Sequence, residues 1–247
     1  MRRFRTRLVC RSVWPCTFIA ALMMPCVHAQ GATVTAQVEV IKNSSRTKSQ
    51  KASSIVVWLK PIDASQAAVA EPMQQQPTLV QKNKTFEPHL LVIPVGTVVD
   101  FPNRDLFFHN VFSLYDGKRF DLGLYEAGTT RHVRFDRPGV SYLFCNIHPE
   151  MSAVVVVLDT PYHAVPTSSG TISITGVPPG RYSLHIWDER STPESLEKVT
   201  REVVISDEKT SLGSIRVVEN DVAVAHKNKY GRDYEKPSAS SPVYVQP

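Results

Sequence analysis

The stretch "FCNIHPEM", residues 144–151, places a thiol, an imidazole and a thioether at Cys145, His148 and Met151. These are three soft or borderline metal ligands, each separated from the next by two residues. Upstream, "PGVSYLFC" (138–145) reads as a tight turn followed by a strand that ends on the cysteine. Downstream, "SAVVVVL" (152–158) reads as a buried strand. The residues between them form one short loop, stiffened by Pro149, that can return His148 and Met151 to whatever Cys145 binds. Each residue alone suits a bland role: a buried thiol, a surface imidazole, a core methionine. A metal site needs a further ligand from a non-adjacent strand, and "FPNRDLFFHNVFSL" (101–114) offers His109.

Compartment sharpens this reading. Residues 1–29 combine a basic head of five arginines with an interrupted apolar stretch and Val-His-Ala before Gln30, the pattern of a secretory signal peptide. Pro15 and Pro25 make that stretch a poor membrane anchor. Met24-Pro25 before Cys26 argues against a lipoprotein. Cleavage after Ala29 lowers the 28 Lys and Arg to 23, against 23 Asp and Glu. Net charge then gives no case for nucleic acid or an anionic membrane as partner. Three of the four cysteines (Cys10, Cys16 and Cys26) leave with the signal. The one thiol of the exported chain, Cys145, has no partner for an internal disulfide, and coordination would protect it. No apolar run after residue 29 is long enough for a membrane helix. The chain is expected to be periplasmic if bacterial, otherwise secreted.

From residue 32 onward the pattern is β. "TVTAQVEVI" alternates, "SSIVVWLKP" is β-branched and aromatic, and short strand signals recur to residue 218. Pro138-Gly139 and Pro179-Gly180 mark tight turns ahead of two of them. Only "TPESLEKV" (192–199) reads as a brief helix, started by Thr192 and Pro193. Residues 63–77 are small and polar, a linker centred on 67–76. Residues 221–247 are expected to be a flexible tail.

One thiolate, two imidazoles and a thioether match the trigonal His2Cys site with a weak axial Met that suits copper. A lone cysteine fits a zinc site poorly, and the C-x-x-C-H of covalent haem is absent. "FPNRDLFFHNVFS" with "FCNIHPEM", preceded by "FEPHLLVIPVGTVVDFPN", resembles the cupredoxins, the blue-copper electron carriers such as plastocyanin and amicyanin, over residues 77–158. The resemblance implies His109, Cys145, His148 and Met151 as ligands of one type 1 copper ion. It also implies that Asn110 ties the two ligand segments together through its backbone and side chain. Asn146 departs from the hydroxyl residue common after the cysteine, so the usual hydrogen bond there does not carry over. The loop is short, like amicyanin's.

A second likeness is less specific. "SSGTISITGVPPGRYSLHIW" (168–187) resembles the end of a carboxypeptidase regulatory-like, transthyretin-like domain, and "TVTAQVEV…SSIVVWLKP" resembles its start. The expected fold is all-β: a Greek-key cupredoxin β-sandwich inserted in, or joined to, a second small β-sandwich made of 30–66 and 159–220. The plain alternative is that 30–62 adds strands to the cupredoxin. No zinc-peptidase signature accompanies this module, so the likeness concerns shape.

The expected function is that of a soluble one-electron carrier with transient redox partners, docking through apolar residues near His148 such as Leu106, Phe108 and Pro149. A copper-delivery module and a structural β-sandwich protein are the competing readings. An enzyme is disfavoured: copper oxidases and nitrite reductases need a second copper centre with clustered His ligands, and no H-x-H occurs. His89 is expected at a strand edge. His132, His163, His185 and His226 lack ligand-like partners and read as surface or loop residues.

Overall fold

The computed structural model describes residues 31–42, 54–63, 70, 73–114, 117–206, 208–220 and 226–234. The expected signal segment and most of the linker lie outside them. The regular structure of the described chain is almost entirely β, with one short helix. It opens with β1 (Ala32–Lys42) and β2 (Ile55–Pro61). A middle set follows: β3 (Val80–Lys82), β4 (Thr85–Glu87), β5 (Leu90–Pro94), β6 (Val98–Pro102), β7 (His109–Ser113), β8 (Phe120–Tyr125), β9 (Thr130–Arg134), β10 (Gly139–Phe144) and β11 (Ser152–Leu158). The chain continues through β12 (His163–Ala164), β13 (Thr171–Val177), β14 (Gly180–Asp188), helix α1 (Pro193–Glu197), β15 (Arg201–Ile205) and β16 (Lys209–Glu219). Both Pro-Gly pairs stand where expected. Gly139 and Gly180 open β10 and β14 at φ of 139° and 156°, a backbone region that a side chain disfavours. Thr192 caps α1 by accepting from Ser195 N–H.

The middle strands form a five-stranded sheet in the order β5-β11-β10-β7-β8, faced by the ribbons β6-β9 and β3-β4. β5 runs parallel to β11, and the other pairs of that sheet are antiparallel. Between the layers lies an apolar core that includes Phe101, Val111, Tyr125, Phe135, Leu143 and Val155, and Cys145 and Met151 belong to it.

The outer strands pair across the middle set. β1 lies between β13 and β16, antiparallel to one and parallel to the other. β2 lies between β12 and β14. Their shared core includes Val34, Leu59, Ile174, Tyr182, Leu184 and Val217. A third apolar cluster joins the two units: Val56 and Trp187 from one side, Val154, Val156 and Leu158 from the other.

The unbroken apolar run of β11 has a physical reason. Ala153, Val155 and Val157 face the middle core, while Val154, Val156 and Leu158 face the junction. A strand buried on both faces needs apolar residues at both parities. β1 faces one core only, and its buried residues alternate: Ala32, Val34, Ala36 and Val38.

Candidate metal centre

β10 and β11 form a hairpin whose last pair is Phe144 with Ser152, so residues 145–151 are its loop. Two backbone bonds close it. Met151 N–H donates to His148 O at 3.0 Å, and Cys145 N–H donates to Met151 O at 3.3 Å. Cys145 and Met151 are fully buried, and His148 is half-buried. Across the sheet, Phe144 pairs with Phe112 of β7, which brings the start of that strand, His109, toward the loop.

His109, Cys145 and His148 converge, with ligand atoms within 4.8 Å of one another. Cys145 Sγ lies 3.8 Å from His109 Nδ1 and 3.6 Å from His148 Nδ1. A metal bound to sulfur at about 2.3 Å and to nitrogen at about 2.0 Å, the lengths found for zinc, separates those atoms by about 3.7 Å when they subtend about 120°. The two sulfur-to-nitrogen separations are therefore those of ligands to one first-row metal ion. Among the described residues it is the one cluster of three or more His, Cys, Asp or Glu side chains with that closeness.

Protonation favours ligation. Burial holds His109 below the ordinary imidazole range, against the opposing pull of Asp105. Burial also lowers His148, and a charge on His109 would lower it further. Both rings are biased to the neutral form that binds metal. Burial dominates at Cys145 and holds the thiol above its ordinary value, although the backbone N–H groups of Asn110, Ile147 and His148 point to the sulfur and oppose it. Those three donors are placed to stabilise a thiolate.

His109 is oriented from behind. Its Nε2–H donates to Asp105 Oδ2 at 2.8 Å in a buried setting, which leaves Nδ1 as the lone-pair nitrogen facing the sulfur. Asp105 is itself held by the backbone N–H groups of Asn83 (2.7 Å) and Lys84 (3.0 Å). Those two residues have φ of 55° and 54°, and this left-handed turn aims successive N–H groups at one carboxylate. Burial raises the Asp105 carboxyl, but these donors and His109 outweigh it, and the group sits below its ordinary value. Asp105 escaped sequence reasoning. It stands four residues before His109, a spacing that implies contact on a helix, whereas here a bend brings the pair together.

Asn110 takes part differently from what the cupredoxin likeness implies. Its backbone N–H reaches the sulfur, but its side-chain amide donates to Asp121 Oδ1 and Gly123 O and so ties β7 to β8. Asn146 has a partner from an unexpected quarter, since its Oδ1 accepts from Lys229 N–H at 3.0 Å. Residues 226–234, expected within the flexible tail, lie against the ligand loop. His226, read from sequence as a surface residue without partners, stacks on Phe144 with ring centroids 3.8 Å apart. The tail's Lys, Asn and Tyr residues carry no apolar period, so the sequence holds no signal for this docking.

The other histidines stay outside the cluster. His89 binds Ser152 O and Glu189, and His132 lies exposed on β9. His163 lies half-buried on β12, and His185 stacks on Trp58.

No protein-family model and no curated relative matches the chain. Solved structures do. A purple cupredoxin from Nitrosopumilus maritimus is 26% identical, over 33% of this chain and 99% of its own, at a TM-score of 0.31. A methionine-to-alanine mutant of amicyanin, in its Cu(I) form, is 20% identical over 41% of this chain and 98% of its own, at 0.33. The copper-containing nitrite reductase of Thermus scotoductus is 24% identical over 48% of this chain, at 0.33, and the match spans 28% of the reductase. At TM-scores this low the likenesses carry no weight for function, and the metal reading stands on the ligand geometry.

Proposed function

We propose that this chain is an exported type 1 copper protein that passes single electrons. The observation that supports it best is the convergence of one buried thiol and two neutral-biased imidazoles, with sulfur-to-nitrogen separations of 3.6 and 3.8 Å. His109, Cys145, His148 and the buried Met151 would hold the ion, and a thiolate with two imidazoles and a thioether is a donor set that suits copper better than zinc. Bound copper supplies a one-electron couple between Cu(II) and Cu(I).

The protein's part is to change little during that exchange. β7 and β10 fix two donors at strand ends, Asp105 fixes the ring of His109, and the sulfur accepts from three backbone N–H groups. The apolar core around Cys145 and Met151 excludes water from the thiolate. The one ligand short of full burial is His148, and exposed apolar residues lie along the two ligand segments: Leu106 (87% exposed), Phe108 (46%) and Ile147 (42%). A few exposed apolar side chains beside the ligands suit the small, transient interface of an electron-transfer encounter. We read the protein as a carrier, and its second sandwich as a scaffold of transthyretin-like shape.

The test is optical. Full-length processed protein titrated with Cu(II) should develop an intense blue thiolate-to-copper charge-transfer band at one equivalent, absent in Cys145→Ser. It should also keep its copper through reduction and reoxidation in the presence of a chelator. A colourless complex sinks the type 1 reading. Copper lost on each reduction would favour delivery over electron transfer.

A further inference from the structure

The geometry points to residues 226–234 as a strap that clamps the ligand loop, with His226, Lys229 and Tyr234 as positioning residues for the metal site. The strap deepens the copper reading and rests on it for its functional meaning. The clamp itself stands on contacts within the chain, whatever the loop binds.

Three hydrogen bonds run from strap to loop. His226 Nε2–H donates to Pro149 O at 2.7 Å. Lys229 N–H donates to Asn146 Oδ1 at 3.0 Å. The Tyr234 hydroxyl donates to Cys145 O at 3.0 Å and lies 3.3 Å from His226 Nδ1. The accepting residues are Cys145, Asn146 and Pro149, so the strap grips the loop on both sides of His148. The loop's own backbone supplies only two closing bonds, both at Met151. Without the strap, the loop would keep those bonds and the Ile147 and His148 N–H groups that point to the Cys145 sulfur, while the Pro149 carbonyl and the Asn146 side chain would lose their partners.

The strap is stiff enough to act as a clamp. Asn228 Oδ1 accepts from Tyr230 and Arg232 N–H, and Asn228 N–H donates to Arg232 O at 2.8 Å. These bonds close a compact turn between the two aromatic anchors. The His226 ring lies flat on Phe144, 18° from parallel, and meets Tyr234 edge-on. Lys229 Nζ pairs with Asp121 Oδ2 at 2.9 Å, and the same carboxylate accepts from Asn110. The strap is thereby joined both to the Cys145 loop and, through Asp121, to the strand pair that carries His109. This gives Asn146 a role that a hydroxyl residue there could fill less well, because its longer side chain reaches the strap's backbone.

For electron exchange the consequence is rigidity. Supporting hydrogen bonds hold ligands in one arrangement, and losing such support typically costs 10–100-fold in metal affinity.

The test uses full-length processed protein in two double variants. His226→Ala/Tyr234→Ala removes both anchors. His226→Phe/Tyr234→Phe keeps ring packing but removes their hydrogen bonds, and so guards against a misfolded first variant. On the metal-free proteins, hydrogen exchange should quicken about tenfold or more at amides 145–151 in the alanine variant, with β1 and β13–β16 unchanged. On the copper-loaded proteins, transfer of copper to a chelator should quicken about 10–100-fold, and the charge-transfer band and reduction potential should shift in both variants. The phenylalanine variant should fall between wild type and alanine. Wild-type exchange at 145–151 in both variants, or a wild-type spectrum and chelation rate in both, would overturn the clamp. A wild-type protein with no blue band would instead refute the copper reading, while the exchange measurement would still decide whether the strap holds the loop.

Discussion

Asp105 is the residue on which the cluster's chemistry turns without its being a ligand. A buried histidine can present either ring nitrogen, and here the choice is made by the carboxylate that accepts from Nε2. Replacing Asp105 with Ala would leave that N–H buried without an acceptor and free the ring to rotate or change tautomer. Copper affinity of Asp105→Ala should fall about 10–100-fold, the usual loss when the group behind a ligating histidine is removed. Asp105→Asn retains an acceptor oxygen and should lose less. Equilibrium competition with a chelator measures both. If copper binds as proposed, the blue band should persist at saturating copper, because Cys145 is untouched. Equal affinity in all three proteins would mean that packing alone, including the Phe107 ring 5.1 Å from His109, orients the imidazole.

At the scale of elements, the apolar pattern carried most of what the sequence could tell. Strand alternation in β1, the Pro-Gly turns and the Thr192 cap are local signals, and the structure places an element at each. The three residues that converge, His109, Cys145 and His148, could be singled out because two of them share one loop and the third follows a distinctive aromatic run. Asp105, the side-chain partners of Asn110 and the docking of 226–234 were not, since each depends on which distant segment arrives beside it. The runs "IVVWL" and "AVVVVL" each split by parity between a unit's own core and the shared junction, a division that composition alone does not reveal. Trp187 of β14 fills that junction, 8% exposed, with its ring 6.2 Å from Tyr142 of β10. Trp187→Ala should cost about 3–5 kcal/mol, as aromatic truncation in a core does. A lower denaturant midpoint would report it. The copper band should not move, because the junction touches the face of β11 opposite the one that packs on Cys145. A shifted band would show that the two faces of β11 are mechanically coupled.

At the scale of the molecule, the outer unit is built from the two ends of the described strand order. β1 occupies the centre of its three-stranded sheet, and its register with β16 runs from Thr33 with Lys209 to Lys42 with Glu219. β2 sits between β12 and β14, paired from Ile55 with Asp188 to Pro61 with Tyr182. Strands 32–42 and 55–61 therefore belong, by hydrogen bonds and by core, with residues 163–219 rather than with the middle set that follows them. Central strands cannot leave a sheet without exposing both ladders and the apolar face beneath. A site-specific protease sequence inserted between residues 66 and 67 offers a direct check. After cleavage, the 30–66 fragment should co-elute with the rest of the chain under native conditions and separate only in denaturant. The copper band of the proposed site should survive the cut, since His109, Cys145, His148 and Met151 all lie in the larger fragment. Release of the small fragment with 159–220 still protected from proteolysis would mean that β1 and β2 are dispensable additions. Loss of the band on cleavage would mean that the metal site depends on the outer unit, through the junction formed by Val56, Val154, Val156, Leu158 and Trp187.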